Sequence, residues 1–165
     1  MQRVYSLLVD NNPSVLSRIS GLFSRRGYNI DSITAGVTAD PKYTRITIVS
    51  SGDELVLSQI ERQVRKLEDV REIKVLSPEN SVFRELIMVK IKADADQRTE
   101  IISLADIFRA NIVDVKQESV VIEMTGNQQK LEAFLSLLDG YEILEIARTG
   151  ITGLSSNACL YHRSS

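Results

Sequence analysis

The chain of 165 residues contains no Trp, one Cys and one His. A lone Cys closes no internal disulfide, so nothing in the residues points to an oxidising compartment. Cys159 and His162 stand three positions apart near the end of the chain, and no second pair exists to complete a zinc set. A Ser-His or Cys-His site needs a base held against its nucleophile, and the only histidine lies in the last few residues. Charge of one sign is also lacking: 20 Lys+Arg against 22 Asp+Glu leave −2. A near-neutral chain offers phosphate no general attraction, so no nucleic-acid partner is expected. No run approaches the ~18 apolar residues of a membrane span. The first apolar run ends at Asp10, too short for a signal-peptide core with its cleavage site. These absences point to a cytoplasmic protein without membrane association. What remains is ordinary: 43% hydrophobic and 25% charged residues, the composition of a globular chain.

The residues present alternate between strand and helix patterns. Val4 to Val9 is β-branched and apolar, a strand. Asp10-Asn11-Asn12-Pro13-Ser14 is a turn in which Asn12 caps a helix and Pro13 occupies its first position. The stripe Val15, Leu16, Ile19, Leu22, Phe23 follows, and Gly27 ends the helix. Asn29 to Thr38 reads as an extended, weak strand. Thr44 to Val49 is a strong one. Gly52-Asp53-Glu54 opens a second helix with Leu57, Ile60, Val64 and Leu67 inward, and Val70 to Leu76 alternates as a fourth strand. The second half repeats this order. Strands at Leu86–Ile91, Asn111–Val115, Ser119–Met124 and Tyr141–Arg148 enclose helices at Gln97–Ala110 and from Gly126-Asn127 to Asp139-Gly140.

The expected fold is therefore α+β, with two ferredoxin-like βαββαβ domains. Each should be an antiparallel sheet with its first and third strands central and both helices on one face. The expected boundaries are 1–76, a linker at 77–81, a second domain at 82–155 and a mobile tail at 156–165.

Few residues carry chemistry. The carboxylates sit at helix starts and on polar faces, where they complement helix dipoles and solvate the surface. Neither G-x-G-x-x-G nor G-x-x-x-x-G-K-[ST] occurs. The RNA-recognition motif shares the βαββαβ order, but it stacks bases on aromatics of its third strand. Here that strand, Tyr43 to Ser50, has no internal aromatic or glycine.

The loop from Asp10 to Leu16 joins a strand to a helix N-terminus, whose free N–H groups favour an anion. Asn11 adds an amide with donor and acceptor capacity, and Asn29 lies beyond the Gly27 turn. An α-amino acid needs both kinds of group, and a small aliphatic side chain wants a wall such as Val15, Ile30 or Ala35. The plainer reading is that the asparagines cap a helix and turn the chain. On the residues alone it stands ahead.

Longer blocks add a resemblance. Leu7-Leu8-Val9-Asp10-Asn11, Val15-Leu16-Ser17-Arg18-Ile19, Arg25-Arg26-Gly27-Tyr28-Asn29-Ile30-Asp31-Ser32-Ile33-Thr34, Arg84 to Ile91 and Ala147-Arg148-Thr149-Gly150-Ile151-Thr152-Gly153-Leu154-Ser155 closely resemble the small, regulatory subunits of acetolactate synthase. The likeness runs from about residue 2 to 155. It implies an N-terminal ACT domain, homodimerisation through paired ACT sheets, and L-valine bound at that interface. Effector contacts would fall on Asn11, Pro13, Ser14, Val15 and Leu16, with Asn29 from the partner subunit, Ile30, and Ala35 and Gly36 on an edge open to close approach. One position departs from the family, which has glycine where this chain has Ser14. A Cβ there would crowd the ligand carboxylate or demand another backbone dihedral.

The resemblance also implies a function without catalysis in this chain. The large catalytic subunit would hold thiamine diphosphate, Mg²⁺ and FAD and condense two pyruvates to acetolactate. This chain, with no cofactor of its own and no thiamine-site G-D-G, would activate that subunit and confer valine feedback on branched-chain amino acid biosynthesis. Valine must then prefer one state of the complex. Two alternatives remain: an ACT-type amino-acid sensor acting on another enzyme or a transcription factor, and a stand-alone small enzyme of ferredoxin-like fold.

Overall fold

The computed structural model describes residues 1–157. Cys159, His162 and most of the expected mobile tail (156–165) lie outside the described residues. The chain divides into two units: Met1–Phe83 joined by the segment from Ile151 onward, and Arg84–Gly150.

The first unit runs β1 (Gln2–Asp10), α1 (Val15–Arg26), β2 (Ser32–Val37), β3 (Tyr43–Ser51), α2 (Glu54–Arg65) and β4 (Val70–Leu76). Its sheet is antiparallel in the order β2-β3-β1-β4. The first and third strands are central, as the ferredoxin-like reading expects. Side-chain alternation sends Tyr5, Leu7 and Val9 to the same face as Ile46 and Ile48. There they meet Val15, Ile19, Leu22 and Phe23 of α1 and Leu57, Ile60 and Val64 of α2 in one buried core. The Tyr5 hydroxyl enters that core with its hydrogen bond made, donating to Leu57 O at 2.7 Å. Leu16 departs from the expected stripe and is exposed. It lies outside the 15, 19, 22, 23 spacing, so its side chain is rotated off the core face.

Local chemistry sets the helix ends. Gly27 takes φ 65°, ψ 25° and closes α1 with N–H bonds back to its last carbonyls, the left-handed stop that glycine allows without a Cβ penalty. Asp53 caps α2 by accepting from Val56 N at 2.8 Å.

The opposite face of this sheet carries a small second core. Val4, Val49 and Leu76 are buried there, with Phe83 and Ile151 packed against them. The chain returns to this face as β9 (Thr152–Ser155), which pairs with the strand that begins at Ser81. Ser156 N donates to Asn80 O at 2.8 Å. A Cβ on Gly153 would stand 2.6 Å from Phe83 Cδ1 and 3.1 Å from Leu76 Cδ1. This return was not expected: the sequence reading gave 82–155 to the second domain and 77–81 to a linker. A four-residue strand of Thr-Gly-Leu-Ser has too little apolar alternation to announce its partner. A short 3-10 turn, Pro78–Asn80, occupies the expected linker.

The second unit contains β5 (Ser81–Lys92, of which Arg84 onward belongs here), α3 (Ala95–Ile107), β6 (Asn111–Val115), β7 (Ser119–Gly126), α4 (Gln128–Leu137) and β8 (Ile143–Arg148). The order β6-β7-β5-β8 repeats that of the first unit. Ile87, Val89, Ile91, Val120, Ile122 and Met124 face Ile101, Ala105, Leu131, Phe134 and Leu138 across its core. α3 begins two residues earlier than the sequence reading placed it. Asp94 accepts from Gln97 N, and the Gln97 side chain accepts from Asp94 N, a reciprocal cap that fixes the start. The helix stops through Arg109 in a left-handed conformation at φ 55°, and Ala110 N reaches back to Ala105 O at 2.8 Å. At the unit's two ends, Arg148 forms a forked pair with buried Glu85 at 2.8 and 3.2 Å. Thr149 N donates to Leu86 O at 3.1 Å.

Among the described residues no helix is long and apolar enough to cross a membrane.

Candidate functional site

The turn after β1 is built by side chains bonding to neighbouring backbone. Asn12 Oδ1 accepts from Ser14 N at 3.1 Å and from Ser14 Oγ at 2.7 Å, an Asx turn. The helix therefore starts at Val15 with Ser14 as its first flanking residue, and Pro13 lies in the turn. This corrects the reading of Asn12 as the cap and Pro13 as the first helical residue. Ser14 sits at φ −90°, ψ −8°, backbone that any L-residue adopts. Serine at this position thus needs no unusual dihedral.

The N–H groups of the turn fall into two sets. Those of Ser14 and Val15 go to Asn12. Those of Leu16 and Ser17 have no acceptor among the described residues, as the first turn of a helix dictates. Asn11, which follows β1, has both amide ends engaged: Nδ2 donates to Pro41 O at 3.0 Å, and Oδ1 accepts from Thr44 Oγ1 at 3.3 Å. Val15 is buried, so its side chain belongs to the core; Leu16 is exposed beside the open N–H groups.

Ionic contacts fasten this turn to β4. Arg71 forks onto Asp10, Nε to Oδ1 and Nη2 to Oδ2, both at 2.7 Å. The guanidinium's hydrogen bonds hold the Asp10 carboxyl below the ordinary carboxylate range. Asp69 pairs with Arg18 on α1 and accepts from Asn12 Nδ2 at 3.4 Å.

Asn29 lies elsewhere. Its carbonyl accepts from Ser50 Oγ and its Nδ2 donates to Asp31 Oδ1. Asp31 also accepts from Ser51 Oγ and from Gln2 Nε2 at 3.1 Å. Ile30 packs against the helix-side core. β3 is flanked by Asn11 near Tyr43 and Thr44 and by Asn29 near Ser50. Seven residue steps of strand separate those ends, about 24 Å. One copy of the chain therefore does not bring Asn11 and Asn29 to the same ligand.

Between the two ends runs β2, an edge strand paired on one side with β3. Ala35 and Gly36 are exposed in its middle, and a Cβ on Gly36 would meet nothing within 4 Å. Ile33 and Val37, exposed at 38% and 60%, make the edge apolar as well as open. Such an edge is a template for another strand.

Sequence reasoning did not single out Thr44, Asp69 or Asp31 as part of this arrangement. Thr44 and Asp69 reach it through pairings of distant segments, which leave no local spacing. Asp31 had a local signal, the Asn-x-Asp spacing after Gly27.

Two βαββαβ units, the first with an open strand-to-helix turn and a free sheet edge, define a protein of the ferredoxin-like class. Residues 5–72 match the family model described as the AHAS small subunit-like ACT domain, and residues 84–157 match the one described as the small subunit of acetolactate synthase. A probable acetolactate synthase small subunit of Methanothermobacter thermautotrophicus is 46% identical over 92% of this chain and 91% of its own length. The acetolactate synthase isozyme 3 small subunit of Escherichia coli is 45% identical over 94% and 96%. The crystal structure of the acetolactate synthase small subunit from Thermotoga maritima superposes with a TM-score of 0.86 at 41% identity, covering 94% of this chain and 97% of that one. The chain belongs to the acetolactate synthase small-subunit family.

Proposed function

We propose that this protein is the regulatory subunit of an acetolactate synthase, working in the cytoplasm. It binds and activates a thiamine-diphosphate-dependent catalytic subunit, which holds Mg²⁺ and FAD as well, and confers feedback inhibition by L-valine. The reaction belongs to the catalytic subunit.

One observation carries the regulatory part of this reading. The N–H groups of Leu16 and Ser17, in the turn that follows Asn11, and the oxygen-rich cluster at Asn29 lie toward opposite ends of one free edge strand. Two copies of an edge strand related by a two-fold axis pair antiparallel. Pairing β2 with its symmetry mate sets the Asn11 end of one copy beside the Asn29 end of the other. The composite site then offers N–H groups to a carboxylate, oxygens to an ammonium, and Leu16 and Ala35 to an aliphatic side chain. The names of the relatives support the catalytic partner.

The test reconstitutes the full chain with its catalytic subunit. L-valine should inhibit the complex, and titration calorimetry of the small subunit alone should register heat at millimolar valine or below. Asn29→Ala should abolish feedback and leave activation intact. Unchanged valine inhibition in that variant refutes the assigned site. Failure of the chain to raise catalytic-subunit activity refutes the regulatory role.

A further inference from the structure

Asp31, like the helix-capping Asp53, organises the first unit without an arginine partner among the described residues. Asp10, Asp69 and Glu54 are each paired with an arginine. Asp31 is held as firmly, but by neutral donors: Ser51 Oγ, Gln2 Nε2 and Asn29 Nδ2. Its own N–H is fixed to Val49 O at 2.8 Å. Among the described residues it has no cationic partner, and it is exposed at the head of the free β2 edge.

This placement has two chemical consequences. An ionised carboxylate only accepts hydrogen bonds, so the Asn29 amide must turn its NH₂ toward Asp31 and its oxygen away. The same carboxylate leaves an uncompensated negative charge beside that oxygen. At the far end of β2 the polarity is reversed, since the α1 N-terminus carries partial positive charge.

We propose that Asp31 is the specificity-determining residue of the effector site. It orients the Asn29 oxygen toward the ligand and supplies the charge that selects an α-ammonium group. The inference rests on the proposed composite site. The site then takes α-amino acids and discriminates against molecules of the same shape that carry a hydroxyl in place of the ammonium, because those leave the carboxylate unmatched. Asp31 thus filters for the charge on Cα, and the apolar wall filters for the side chain.

The experiment uses the full chain reconstituted with its catalytic subunit and two probes, L-valine and its 2-hydroxy analogue. Wild type should respond to L-valine at concentrations at least 30-fold lower than to the analogue, a ratio on the scale expected for a charged hydrogen bond. Asp31→Asn should weaken the valine response roughly 10- to 50-fold and leave the analogue's response within about twofold, so the ratio collapses. Ser51→Ala, which loosens the carboxylate without removing its charge, should retain most of the ratio. Melting temperature should stay at the wild-type value in both variants. A wild-type valine response in Asp31→Asn overturns the inference, and so does equal loss of both probes. A wild type that answers neither probe overturns the composite site itself. Loss of valine feedback in Asn29→Ala with none in Asp31→Asn keeps the site and rejects only Asp31.

Discussion

Arg18, on the first turn of α1, pairs with Asp69, which follows α2 and precedes β4. The same carboxylate receives the Asn12 amide, and Asp69 O accepts from Asp10 N at 2.9 Å. One residue thereby fastens both sides of the β1–α1 turn. Asp69→Ala should cost about 1.5–3 kcal/mol, the range for a charged hydrogen-bond partner. It should also weaken the valine response, because the turn that carries the free N–H groups loses its anchor. Urea unfolding checks the first effect and inhibition of the reconstituted complex the second. Wild-type values in both would show that the pair is ornamental.

Tyr5 supplies a pH dependence. Burial against the core pushes its phenol up to about 12, while an unfolded chain releases that proton near 10. The folded state therefore retains a proton that the unfolded state has lost. The stabilisation is complete below about pH 10 and declines as pH rises toward 12. Tyr5→Phe should lower stability by about 1 kcal/mol at neutral pH, since Leu57 O loses its donor. It should also flatten the alkaline decline, which thermal melts between pH 9 and 12 will register.

Gly153 passes against the Phe83 ring with no room for a side chain. Gly153→Ala should therefore loosen β9 and cost about 1–3 kcal/mol, the range for overpacking. Faster amide exchange at Leu154 and a lower melting point are the expected signs. A neutral result would mean that Phe83 moves aside freely.

Arg109 occupies a left-handed conformation that glycine adopts without a Cβ penalty. Arg109→Gly should raise stability by about 0.5–1 kcal/mol, read as a higher urea midpoint at unchanged slope. A lower midpoint would point to a contact of the Arg109 side chain that outweighs the backbone gain.

Local pattern made most of the fold legible. The Val15-Ile19-Leu22-Phe23 spacing, the β-branched run at Thr44–Val49 and the Gly52-Asp53 and Gly126-Asn127 helix openings each name their element from neighbours in sequence. What stayed hidden depends on segments far apart. β9 is short, and its partner strand begins about seventy residues earlier. Leu16 looked like core because it is apolar and adjacent to the stripe; a rotation of one residue puts it outside. At the site, the β1–α1 turn was readable from its asparagines and proline. The distance between Asn11 and Asn29 was not, because only the β1–β3 and β2–β3 registers reveal that they sit at opposite ends of the sheet.

The fork between Glu85 and Arg148 and the Leu86–Thr149 bond close the second unit where the chain enters and leaves it. In covalent terms that unit is a cassette spliced into the first, its two seams side by side. A gene trimmed after residue 150 would keep the cassette whole and damage its host, baring Val4, Val49 and Leu76 where Ile151 and β9 now lie. Removing 84–150 and bridging the seams with a few glycines should leave the host's sheet, both its helices and its last strand in one piece.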